Sequence, residues 1–168
     1  MRHFLLASTC CFALAGVASA ETSITDKRTS AVRTSTVKAG AADDIKITST
    51  GSVELTTGGG AVTLDTNNKV TNEGTIAVSN ANNAAGILAL AGTSGGIVSS
   101  GKITVDETYA ATDTDNDGDI DGPFAVGSDR YGIITAGAYS GDVTVTSAGT
   151  ISVEGNDSYG IKLTGPLT

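Results

Sequence analysis

Between Asp44 and Thr168 the chain repeats itself, and the repetition is what most limits its fold. Four units can be cut, 44–68, 69–95, 96–141 and 142–168, each holding short alternating runs between Gly, Ser and Asn turns. The last unit shows the pattern most plainly, with DVTVTS, GTISVE and GIKLTG. Runs of four to six residues with period-2 alternation predict half-buried strands. Without an insertion in the third, each unit spans about 25 to 27 residues, a length typical of structural repeats.

Aligning the units produces columns. Val53, Ile76, Ile103 and Ile151 share one, and Leu55, Val78, Val105 and Val153 lie two residues on, hence on the same strand face. Another column holds Val62, Ile87, Ile133 and Ile161. Glycines recur before the strands, with Gly74, Gly101 and Gly149 in one column and Gly86, Gly132 and Gly160 in another. They predict corners that need positive φ. Such columns predict an all-β chain, a right-handed parallel β-helix (solenoid) of about four coils with one inserted Asp-rich loop. Equivalent residues would then stack about 4.8 Å apart along the axis. An antiparallel sandwich also has regularly spaced short strands. It gives no reason for residue types to recur every 27 or so positions.

The first twenty residues read differently. Met1-Arg2-His3 is a positive start, Phe4 to about Val17 is apolar, and Ala18-Ser19-Ala20 is an A-x-A cleavage signal. This is the pattern of a secretory signal peptide, read by the Sec export machinery and signal peptidase. Ala7-Ser8-Thr9 before Cys10 makes a poor lipidation signal, so the A-x-A site is the better account. Cleavage would remove His3, Cys10 and Cys11, the only histidine and cysteines of the chain. The mature chain would then build no Ser-His-Asp or Cys-His nucleophilic site and no zinc site of Cys and His. With Arg2 gone, nine basic residues face eighteen acidic ones, a net charge of −9. That balance argues against nucleic acid as a partner.

Residues 21–43 are rich in Thr and Ser and read as a flexible leader or, preferably, an N-terminal cap with a strand within Ala31 to Val37. A repeat array needs its first edge covered.

Unit three is interrupted over about 107–130. Within it, Asp113, Asp115, Asp117, Gly118, Asp119 and Asp121 match D-x-D-x-D-G at the start of a Ca²⁺ loop. Ca²⁺ takes six to eight oxygens; carboxylates at positions 1, 3 and 5 supply several, and the glycine at 6 permits the sharp turn. Asp119 would offer its backbone carbonyl, and Asp121 its carboxylate, directly or through water. Phe124 stands where a bidentate Glu belongs, and the flanks are strand-like, so the segment is no helix-loop-helix site. The competing view is an acidic, solvated loop. Tyr109 and Tyr131, at the two ends of the insertion, are candidate latches onto the coil.

Other motifs carry less. Gly96 to Lys102 has P-loop spacing, but Ile103 replaces the Mg²⁺-binding hydroxyl and a strand continues where a helix should open. Asn156-Asp157-Ser158 is a lone glycosylation sequon. Asn67, Asn68, Asn82, Asn83 and Asn156 fall at corners, where carboxamides satisfy turn backbone. Tyr131 and Tyr159 share a column and are expected to stack.

The signal peptide, the recurring G-[TK]-I-x-V strand, the later [AYS]-x-G-I strand and the DTDNDGDIDGPF loop together resemble the N-terminal passenger region of bacterial autotransporters. The resemblance covers essentially all of residues 1–168. It implies Sec export, an outer-membrane β-barrel downstream, and a passenger displayed at the cell surface or released. No barrel pattern occurs in this sequence, and the chain stops in mid-repeat at Thr168, which reads as an N-terminal fragment. The expected function is a structural or adhesive stalk with a surface glycan or protein ligand and a structural Ca²⁺. The alternatives are a β-helix carbohydrate-active enzyme and a scaffold for a protease domain outside these residues. Against catalysis here, Ile103 to Asp129 contains no Lys or Arg, and Glu54 and Glu154 do not form a facing pair.

Overall fold

A computed structural model describes residues 21–165. The signal-peptide stretch, residues 1–20, and residues 166–168 lie outside the described residues. The described chain is all β. Each of its three sheets has five parallel strands, and each strand's sheet neighbours lie three strands away in the chain. The first sheet stacks β1 (Thr22–Ile24), β4 (Ile45–Ile47), β7 (Val70–Asn72), β10 (Ile97–Ser99) and β13 (Val143–Val145). The second stacks β2 (Lys27–Arg28), β5 (Ser52–Leu55), β8 (Thr75–Ser79), β11 (Lys102–Asp106) and β14 (Thr150–Val153). The third stacks β3 (Val32–Arg33), β6 (Gly59–Leu64), β9 (Ala84–Leu90), β12 (Arg130–Ala136) and β15 (Tyr159–Leu163). Three strands make one turn, so the molecule is a parallel β-solenoid of about five turns.

The register reproduces the sequence columns residue for residue. Val53 pairs with Ile76, Ile76 with Ile103, and Ile103 with Ile151. Val62, Ile87, Ile133 and Ile161 are likewise in register. Ile76, Ile87, Ile103 and Ile133 are fully buried. Each such side chain contributes roughly 1.5–3 kcal/mol of transfer free energy, so the stacked interior is the main source of stability. Inside the first sheet one column changes character, where buried Asn72 donates through Nδ2 to the Oγ of buried Ser99 at 3.1 Å.

The recurring glycines serve close approach and not positive φ. None of Gly74, Gly101 and Gly149 lies in the left-handed region. A Cβ at Gly74 would run into the Thr48 carbonyl oxygen, one at Gly101 into that of Gly74, and one at Gly149 would stand 2.5 Å from that of Ser99. The corner of each coil rests on the backbone of the one before it, which leaves no volume for a methyl group.

The extra turn comes from Thr22 to Arg33, which pairs with the following coil in all three sheets. Two carboxylates hold it there. Asp65 accepts from Arg33 Nε (2.9 Å), Thr34 Oγ1 (3.0 Å) and both Ser35 N and Oγ (2.9 and 2.8 Å). Burial pushes the Asp65 carboxyl upward, but these donors outweigh it and hold it below its ordinary range. Asp43, buried, accepts from Thr22 and pairs with Lys38 at 3.3 Å. At the other end no described residue covers the stack. Ile161 and Leu163 are 44% and 43% exposed, whereas Ile133, one coil earlier, is 0%.

Candidate functional site

The insertion leaves the solenoid after β11 and returns at β12, so it projects from the corner between the second and third sheets. Corner asparagines hold its two limbs. Asn80 Oδ1 accepts from Thr108 N at 2.8 Å, and Asn82 Oδ1 accepts from Ser128 N at 3.0 Å. From the following coil, Asn156 donates through Nδ2 to the Ala125 carbonyl at 3.0 Å.

Between these limbs lies a buried ion pair. Arg130 is 2% exposed, and its Nη2 stands 3.0 Å from Glu107 Oε2. The rest of the guanidinium is also used, with Nε donating to the Ala81 carbonyl and Nη1 to that of Glu154, both at 2.9 Å. Glu107 in turn accepts from the backbone N–H of Val126 (2.7 Å) and Gly127 (2.9 Å). Burial pushes the Glu107 carboxyl upward; the Val126 and Gly127 amides and Arg130 outweigh it and hold it below its ordinary range. A buried pair is tolerable only when its remaining hydrogen-bonding capacity is met, as it is here.

This pair closes the base of the insertion, a role the sequence reading assigned to tyrosines. Tyr109 is 37% exposed, and Tyr131 donates from its hydroxyl to Asp129 at 3.3 Å and stacks on Tyr159. Arg130 was foreseeable only as the first basic residue after a long stretch without one, placed at the start of an apolar strand.

At the tip, Asp113, Asp115 and Asp117 come together. One carboxylate oxygen from each lies within 4.8 Å of the other two, and Asp115 and Asp117 are exposed. The turn is drawn in by the first carboxylate, since Asp113 accepts from Asn116 N (2.6 Å) and Gly118 N (3.1 Å). Asn116 and Gly118 take φ of 61° and 100°, conformations suited to Asn and Gly. The other two acids stand apart from the trio. Asp119 donates its N–H to Asp117 at 3.1 Å. Asp121 turns its carboxylate onto Thr114, whose hydroxyl and N–H lower its pKa.

Three carboxylates this close repel one another in water and together offer hard, anionic oxygens. That donor set fits a hard divalent cation such as Ca²⁺ and does not fit a soft metal. Gly96 to Lys102, the stretch with P-loop spacing, forms β10, a corner and the start of β11.

Comparison with known proteins adds no relative. No family model matches the chain, and no match is found among curated proteins or solved structures.

Proposed function

We propose that this chain is the solenoid part of an exported passenger of the autotransporter kind. In this reading it acts as a rigid structural or adhesive stalk, and its inserted loop binds a structural Ca²⁺. The observation that carries the proposal is the construction of the insertion. A loop with three converging carboxylates is mounted on an ordered coil stack through a buried, fully hydrogen-bonded base. A stalk needs stiffness along its axis, which stacked parallel coils supply, and a display loop needs a fixed root. Asp113, Asp115 and Asp117 would ligate the cation with their side chains, Asp119 through its carbonyl, and Asp121 directly or through water. Neutralising the trio would order the tip. The signal-like residues 1–20 support export.

Two measurements test this reading. Adding Ca²⁺ to the purified chain should raise the protease resistance of residues 107–129, and the Asp115→Ala/Asp117→Ala variant should lose that response. The parent chain's indifference to Ca²⁺ would remove the metal. Expression in a secreting bacterium should yield a chain beginning at Glu21; retention of residues 1–20 on cytoplasmic protein would remove the export class.

A further inference from the structure

The two ends of a parallel solenoid fit one another by construction, because each sheet starts and stops at a strand with one free edge. Among the described residues β1, β2 and β3 end the three sheets on one side, and β13, β14 and β15 end them on the other. A second copy's first coil, laid in register on the last coil, would continue all three ladders. The columns give the side chains that would then meet. Ile24 would lie against Val145, along the column through Ile47, Asn72 and Ser99. Val32 would lie against Ile161, along the column through Val62, Ile87 and Ile133. Both contacts are apolar.

Two further columns end differently. One runs from Arg28 through Val53, Ile76 and Ile103 to Ile151. The other runs from Arg33 through Thr63, Leu88 and Ile134 to Lys162. The inner coils keep both columns free of charge, so charge enters them only at the ends. We propose that Arg28 and Arg33 guard the first coil against a second copy of this chain, whose last coil would otherwise add to it. A head-to-tail contact of this kind is heterologous and does not close, so without a guard it would grow into fibres.

Each arginine acts by its own physics. The inner members of the Arg28 column, Val53, Ile76 and Ile103, are fully buried, so Arg28 holds a core position in the first coil. It is itself exposed and forms no ion pair among the described residues. With Ile24, Val32 and Val37 it lines the mouth of that coil, an opening of about 160 Å³. There a long stem can lie along apolar surface while its charged head stays in water. A coil laid on top would strip that water away and press the guanidinium against Ile151, a costly burial. Arg33 is half exposed, with its Nε 2.9 Å from Asp65. In a joined stack Lys162 would stand on the adjoining rung, and like charges directly opposite destabilise a ladder. Inward-pointing charge is one of the ways natural sheets blunt an edge. The guard depends on register alone, and neither export, adhesion nor the cation enters it.

The test is sedimentation velocity of the purified chain over a wide range of concentration. The parent should remain a monomer or stop at a closed pair joined through two last coils, and should grow no further. Arg28→Val/Arg33→Thr gives the first coil the side chains of the second, Val53 and Thr63, and removes both conflicts. This variant should form trimers and longer species, with end-to-end association about tenfold or more tighter than in the parent. Arg28→Val alone should show the same growth more weakly, and it carries the test if the double variant does not fold. Adding Lys162→Glu to Arg28→Val sets opposite charges side by side; growth should strengthen at low salt, and added salt should remove that gain. Arg28→Lys keeps the charge and should sediment as the parent does. Growth of the parent past the dimer would overturn the guard. So would a folded Arg28→Val/Arg33→Thr chain that stops at the dimer, or growth of Arg28→Lys equal to that of Arg28→Val.

Discussion

The base and the tip of the insertion are both built on carboxylates, and they use them in opposite ways. At the base one carboxylate, Glu107, is buried, faces Arg130 and accepts from two backbone amides. At the tip three carboxylates converge with no Lys or Arg paired to them among the described residues. The base is complete within the protein. In the proposed reading a cation from outside completes the tip. A cation-free cluster of carboxylates on a rigid root is the arrangement the proposed reading needs, and the predictions below separate the two halves.

The largest effect should come from breaking the base. Arg130→Ala leaves Glu107 buried without its cation and strips the Ala81 and Glu154 carbonyls of a donor. Unfolding in urea should show a loss of about 3–5 kcal/mol, the range for removing one partner of a buried pair. Replacing both partners with apolar residues, as in Glu107→Leu/Arg130→Met, should recover much of that loss. Equal destabilisation by the single and double variants would mean that packing, and not charge, closes the base.

Acid should attack the base next. The folded Glu107 carboxyl titrates below its unfolded value, so its stabilising contribution is fully present above the unfolded pKa of about 4.3. It is lost as pH falls through the folded pKa. Protection of the Val126 and Gly127 amides, taken relative to their intrinsic exchange rates, should hold at pH 6 and fall only below the unfolded pKa of about 4.3. An Arg130→Met variant, whose Glu107 has lost its cation, should lose that protection at a higher pH than the parent. Identical profiles would detach the pH effect from the pair.

How much of this could be read from residues follows from the range of each interaction. The stacked columns were legible because parallel in-register pairing sets like against like, so one packing demand writes the same residue type every coil. The convergence of the Asp trio was legible because its members fall within five residues. The first coil was legible only in part, as a cap with a strand within Ala31 to Val37, where β3 lies. Its strands β1, β2 and β3 are three, two and two residues long, and Lys27 and Arg28 show no alternation, so pairing with the coil behind them decides their state. The latch was not legible, because Arg130 reaches carbonyls 49 and 24 residues away, at Ala81 and Glu154. The glycine columns were found by position but misread in cause. A recurring glycine looks the same whether it serves φ or contact, and only the neighbouring carbonyls tell them apart.

A smaller effect is expected at the turn that draws the tip together. Gly118 has φ 100°, so Gly118→Ala places a Cβ in a conformation L residues avoid, at a local cost of about 1 kcal/mol. Because the turn lies beyond the closed base, the cost should open the tip and leave the solenoid alone. Limited proteolysis should show faster cleavage within 112–121 and an unchanged melting transition. A lowered melting temperature would mean that tip and base fold as one unit.

The smallest effect on stability, and the most informative, belongs to Asp115→Ala/Asp117→Ala. In chelator these exposed carboxylates repel one another and each accepts a single exposed backbone N–H, so their removal should move the unfolding midpoint little. In Ca²⁺ the parent should gain protease resistance across the loop, while the variant should gain none. The Val126 and Gly127 amides at Glu107 should keep their protection in both proteins, with and without Ca²⁺. Protection at the base that ignores Ca²⁺ would establish base and tip as independent carboxylate sites. If both move together, the cation acts through the root, and the loop is then a lever on the solenoid and not a display mounted upon it.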